Sequence, residues 1–136
     1  MVKRISPNSR LLVNCVKAFF FGGFICGLAQ LFNNMIVNIG FSSEESHVIT
    51  LIAFIFIASL LTGLGVYDKI AKHAGAGTIV PITGFSNSIT APAVEFKKEG
   101  FIFGVGAKMF AVAGPVIVYG LATSVVVGLV YYVISK

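Results

Sequence analysis

"GAGTIVPITGFSNSITAPAVEF", Gly75 to Phe96, decides how this chain is built. Glu95 is its only charge, so the stretch is apolar enough to lie at membrane depth. It nevertheless carries Pro81, Pro92 and a scatter of Gly, Ser, Thr and Asn that interrupt a helix. In hydrocarbon there is no water to satisfy a freed backbone N–H or C=O. Irregular backbone therefore persists only where protein buries it or where it lines a watered cavity. Lys69 and Lys72 precede the stretch and Lys97 and Lys98 follow it. Basic residues favour the cytoplasmic side, and both flanks satisfy that preference if residues 74–96 enter the membrane and return. A re-entrant element is the preferred reading. A broken full span, with Lys97 and Lys98 outside, is the alternative.

Working outward, residues 1–11 read as a cytoplasmic N-terminus and residues 12–32 as a first transmembrane helix. Lys17 sits near its entry, where the stem can reach the headgroups. Cys15, Gly22, Cys26, Ala29, Gln30 and Asn33 fall near one face, expected to pack on protein, with both thiols buried. A helix sets the two cysteines about 16 Å apart along its axis, too far for a disulfide. The turn "FNNMIVNIGFSSEESH" has two Glu and no Lys or Arg, which places it outside. Residues 48–67 form a second span. On the far side of the opening stretch, the apolar run from Gly100 to Ile134 exceeds the ~20 residues a crossing needs. Gly114-Pro115 is the expected break, giving a short helix at 101–113 and a third span at 115–134. Gly23 and Gly27 form one small-residue seam and Gly120, Ser124 and Gly128 a second, both suited to helix packing. Tyr131 and Tyr132 suit the membrane interface.

Composition supports a single integral membrane domain over residues 1–136, all-α, with three full transmembrane helices plus the Gly/Pro-rich segment and the short helix. Of the 136 residues, 57% are hydrophobic and only 11% charged, with mean hydropathy +0.95, far from the roughly one-quarter charged of a soluble domain. The net charge of +5 lies at the ends of apolar runs, which signals topology and not a nucleic-acid surface. No CxxC, HExxH or phosphate-binding GxxxxGK[ST] occurs, and His47 and His73 lie on different segments. Neither a metal, a cofactor nor an enzyme activity is expected.

The candidate functional residues cluster in the irregular segment and just beyond it. Gly75, Gly77, Thr83, Gly84, Asn87 and Ser88, with Gly104, Gly106 and Lys108, can line a ligand path in which broken-helix N-termini present N–H groups to an anion. Lys108 is the one basic charge deep in the last apolar run, and intramembrane charges face a partner or an aqueous path. Plainer readings stand beside these: glycines as packing contacts, Asn87 and Ser88 as turn residues, Lys108 snorkelling, and Glu95 with Lys98 as a solvated pair. Lys69, Lys97 and Lys98 are candidate docking residues for a soluble partner.

The residues "GLGVYDKIAKHAGAGTIVPITGFSNSITAPAVEFKKEGFIFGVGAKMFAVAGPVIVYG", Gly63 to Gly120, closely resemble the stage V sporulation protein AC (SpoVAC) family of endospore-forming bacteria, and "NCVKAFFFGGFICGLAQ" resembles its first helix. The "GAGT-VP-TGF" pattern is shared with the sister SpoVAEB group; "YDKI" and "EGFIFGVGAKMF" point to the AC branch. Where the family has a longer Lys-rich N-terminal region, this chain has "MVKRISPNSR". The resemblance implies a subunit of the SpoVA complex in the forespore and spore inner membrane. That complex moves dipicolinic acid with calcium into the developing spore and releases it at germination. SpoVAD-like and SpoVAEB-like proteins are the implied partners, and the family has been linked to mechanosensitive channel behaviour. Three spans cannot readily enclose a pore alone, so homo- or hetero-oligomers in contact with membrane lipid are expected.

Overall fold

A computed structural model describes residues 10–135. Residues 1–9, most of the segment expected to be cytoplasmic, lie outside the described residues. The described chain is all-α, in the order α1 (Leu11–Ile39), α2 (Ser43–Gly63), α3 (Tyr67–Ala74), α4 (Ala76–Ile79), α5 (Ile82–Glu95), a 3-10 turn (Phe96–Glu99), a π-helical turn (Phe101–Gly106) and α6 (Ala107–Ile134). Three stretches are long and apolar enough to cross a membrane: Leu11–Ile39, Ser43–Gly63 and Phe101–Ile134. Large apolar side chains such as Phe19, Phe20, Leu28, Phe56, Val118 and Leu129 are exposed along them. The buried positions, by contrast, include Asn33, Ser46, Thr50, Thr78, Thr83 and Ser86. Lipid chains are as apolar as Leu, so nothing drives large aliphatics inward, and small residues that let backbones approach take their place.

The chain divides into two compact units, one through Asn87 and one from Ser88. In the first, α1 and α2 form a hairpin. Gly40 caps α1 in the left-handed conformation at φ 113°, its N–H donating to Val37 O. Ser42 then opens α2 with a full capping box: its hydroxyl accepts from Glu45 N–H, and its own N–H donates to the Glu45 carboxylate at 3.0 Å. This box starts α2 earlier than the expected residue 48. α1 also runs past residue 32, because the asparagines there are used: Gln30 donates to Asn34 at 2.9 Å, and Asn33 is buried against α2. α2 stops at Gly63, where Gly65 (φ 68°) turns the chain.

The interrupted region 74–96 resolves into two helices and a link. Gly75, at φ 55° and ψ −130°, separates α3 from α4 in a conformation closed to residues with a side chain. Pro81 lies between α4 and α5. Pro92, expected to interrupt a helix, sits inside α5. It cannot supply the amide that Ser88 O would take in an unbroken helix, and the boundary between the units falls at that residue.

In the second unit, Gly100 (φ 97°) leads into the π-helical turn, where Gly104 N–H and Val105 N–H both reach Gly100 O at 3.1 Å. The expected break at Gly114-Pro115 is absent: α6 continues through Pro115. Proline removes one hydrogen bond, whereas ending the helix in hydrocarbon would free a whole turn of backbone groups, so continuity costs less. The resulting stretch of 34 residues is about 50 Å long at roughly 1.5 Å per residue. It spans with tilt or with its ends among the headgroups.

Candidate functional site

The first unit closes around a line of small and hydroxyl residues. Gly77, buried in α4, lies against α1: a Cβ there would stand 2.5 Å from Ala18 O and 2.9 Å from Gly22 N. Only hydrogen fits at that contact. Gly84 is equally constrained, since its Cβ would meet the Ile79 and Thr78 carbonyls, and its N–H closes the turn to Pro81 O at 2.9 Å. The buried Tyr67 of α3 donates its hydroxyl to Thr78 O at 2.9 Å, and Thr78 Oγ1 in turn donates to Gly75 O at 3.0 Å. The first bond satisfies a carbonyl that the short α4 leaves over, and the second ties its last turn back to Gly75, which lets so brief a helix persist.

Hydroxyls also tie α5 to α2. Ser86 Oγ lies 2.8 Å from Ser59 Oγ and 2.9 Å from Ile55 O, and Thr62 Oγ1 is 2.8 Å from Asn87 Oδ1. Further along α2, Thr50 Oγ1 donates to Ser46 O at 2.8 Å and lies 3.4 Å from Asn33 Oδ1 of α1. One polar side chain stands apart from this arrangement. Thr83 is 7% exposed, and its hydroxyl has no hydrogen-bond partner among the described residues.

Of the path residues expected from sequence, Gly75, Gly77, Thr83, Gly84 and Asn87 lie in the first unit, on α4, α5 and their flanks. Ser88, Gly104, Gly106 and Lys108 lie in the second. There Gly104 is buried against Phe96 O and the Glu99 Cβ, and Lys108 is half-buried with Nζ 4.3 Å from the Phe96 ring centroid. The aromatic face partly offsets the ammonium's burial, so Lys108 is held and does not extend freely. Gly106 keeps a looser contact, with Phe101 O 3.3 Å from its Cβ position. Lys69, Lys97 and Lys98 are exposed on short helical turns.

The packing seams take unequal roles. At Gly23 and Gly27 an added Cβ would meet nothing of its own unit within 4 Å, and the same holds for Gly120 and Gly128. Ser124 donates back to Gly120 O at 2.8 Å on its own helix. Both cysteines, expected to be buried, are exposed: the protein-facing stripe of α1 is narrower than the face drawn from sequence and runs through Gly22 and Asn33. Sequence reasoning also passed over the α2 side of the site. Ser46, Thr50, Ala58 and Thr62 fall at multiples of four and form a small-residue stripe, which was the available signal.

Comparison with known proteins places these features in context. Residues 14–130 match the model of the SpoVAC/SpoVAEB sporulation membrane protein family. The chain is 41% identical over 136 residues to stage V sporulation protein AC of Bacillus subtilis (strain 168), covering 99% of this chain and 91% of that protein. No solved structure matches it significantly.

Proposed function

Because the chain belongs to the SpoVAC/SpoVAEB family of sporulation membrane proteins, we propose that it is a channel-forming subunit. It passes dipicolinic acid, with calcium, across the forespore and spore inner membrane, inward during sporulation and outward at germination. The observation that carries this reading is the interrupted α4–α5 region. At Gly77 its backbone is packed against a spanning helix, and Gly75 and Pro81 break it into short helices where an ordinary span would run continuously. Dipicolinate is a planar dianion, which N–H groups at helix starts suit. So few ionisable groups favour gated, passive permeation over proton-coupled pumping and over catalysis. Membrane tension or a SpoVAD-like cytosolic partner is the gate, SpoVAEB-like chains and further copies complete the pore, and the N-terminus is cytoplasmic.

A second reading is supported by α3. Its Asp68, Lys69, Lys72 and His73 are exposed while Tyr67 and Ala74 are buried, so it offers a charged face to a soluble partner. In that case the chain is a non-conducting anchor that docks the partner through Lys69, Lys97 and Lys98. A single cysteine at Ser88, with Cys15 and Cys26 replaced, separates the two. For the channel, a water-borne thiol reagent labels Ser88→Cys, dipicolinate blocks the labelling, and the modification lowers dipicolinate flux from liposomes. For the anchor, charge reversal at Lys69, Lys97 and Lys98 abolishes partner recruitment while Ser88→Cys never labels in folded protein.

A further inference from the structure

The charges described in the first unit are sorted to its two ends. Glu44 and Glu45 stand at the Gly40–Ser42 turn, where there is no Lys or Arg. At the other end lie Arg10 and Lys17 of α1 and Lys69 and Lys72 of α3, all exposed, with Asp68 as the acid among them. α3 packs on α1, and Lys72 falls in its last turn, just before Gly75 and α4. His73 turns its ring back to Lys69 O at 2.9 Å.

From that basic end an apolar groove of about 320 Å³ runs between α1 and α4. Ala18, Phe19, Gly22, Gly77, Val80 and Pro81 are among its lining residues, and no charged residue lines it. Gly22 and Gly77 set its floor at backbone level, and Phe19 and Val80, both exposed, border it. Each side of the groove begins at a cation: Lys17 adjoins Ala18 on α1, and Lys72 lies one turn before Ala76 on the chain that becomes α4. Along α1 the groove reaches from Ala18 to Cys26, about 12 Å at roughly 1.5 Å per residue. That is close to the depth of one leaflet, half of the ~30 Å hydrocarbon core. A second spanning helix, about 10 Å across and needing the full core depth, finds too short a seat there. One acyl chain fits the length, and the cations at its entrance select the sign of the headgroup.

We infer that this groove seats one anionic phospholipid from the leaflet at the α3 end. An acyl chain lies along Gly22, Gly23 and Gly77, and the phosphate is held between Lys17 and Lys72, whose flexible stems reach the headgroup level. The lipid covers backbone that glycine leaves bare where α4 crosses α1. The site goes beyond both readings above and holds for a channel and for an anchor alike, because it uses neither the hydroxyls of α5 nor Lys69, Lys97 and Lys98.

The chain has no tryptophan, so Phe19→Trp places a single fluorophore in the groove, and Leu60→Trp places one on the exposed side of α2, outside it. Each full-length variant is reconstituted in bilayers of phosphatidylcholine and phosphatidylglycerol, with bromine on the acyl chains of one lipid or the other. Quenching then gives the relative affinity of the two lipids at each position. At Phe19→Trp the anionic lipid is expected to be preferred about fivefold or more, the worth of one lysine near the membrane surface. At Leu60→Trp the two lipids should quench equally. Added to Phe19→Trp, Lys17→Gln with Lys72→Gln is expected to bring the preference close to one, and Lys17→Arg with Lys72→Arg to keep it. An unchanged thermal transition in these variants, whose altered side chains are exposed, separates a lost site from a lost fold. Equal preference at the two tryptophans overturns the proposal, as does a preference that survives neutralisation of both lysines. Phe19→Trp that neither brominated lipid quenches overturns it too, since protein, such as a second copy of the chain, then fills the groove.

Discussion

The seam at Gly22 and Gly77 and the seam at Gly120, Ser124 and Gly128 are built from the same kinds of residue, yet only the first is filled within its own unit. α1 meets α4 so closely there that no side chain fits, while α6 carries its small residues on a surface with no buried position. Small-residue spacing alone therefore says that a helix is prepared for close approach, not what approaches it. What distinguishes the filled seam is its neighbourhood. The Tyr67 and Thr78 hydroxyls donate to the Thr78 and Gly75 carbonyls of the short helix and its cap that dock there, whereas the hydroxyls of α6 turn back on its own backbone.

The contrast breaks most visibly under bulky substitution. Gly77→Leu drives a side chain into Ala18 O and Gly22 N, and is expected to destabilise the first unit by about 3 kcal/mol or to prevent its folding. Loss of the thermal transition in detergent, or rapid proteolysis, would register it. Gly128→Leu should leave that transition within about 0.5 kcal/mol but abolish self-association measured by energy transfer between labelled copies in liposomes. Association that survives would assign the α6 seam to lipid. Tyr67→Phe removes one buried hydrogen bond to Thr78 O and is expected to cost about 1 kcal/mol, read as a lowered denaturation midpoint. Smallest is the tie between α2 and α5: a double-mutant cycle of Thr62→Val with Asn87→Leu should return a coupling of roughly 0.6 kcal/mol, typical of side-chain bonds between helices in lipid.

The all-α membrane architecture and its three spanning stretches were legible in hydropathy and charge, because a bilayer leaves so few other solutions. Helix ends were less so. A capping box at Ser42 and Glu45 and an amide bond from Gln30 to Asn34 extend helices into sequence that reads as loop. Pro92 and Pro115 were read as boundaries, as they would be in water, but in hydrocarbon a helix that loses one bond outlasts a helix that ends. Of the candidate site, the glycines and Thr83 stood out by their density in the interrupted stretch. Spacing marked Asn33 and the Thr50 stripe as packing faces, but their pairing across α1 and α2, and that of Ser59 with Ser86, depends on which helices lie side by side, and no local spacing carries that information.

The capping box at Ser42 also bears on how the protein is made. Gly40 ends α1 and Ser42 begins α2 with bonds drawn only from residues 37–45, so the hairpin is specified before anything after Gly63 leaves the ribosome. Entering the bilayer alone, α1 would expose the Asn33 amide to lipid. Inserting as a pair delivers Thr50 to it in the same step. A chain capped this way is expected to insert its first two spans as a pair, with Gly22 already on a formed surface when Gly77 meets it.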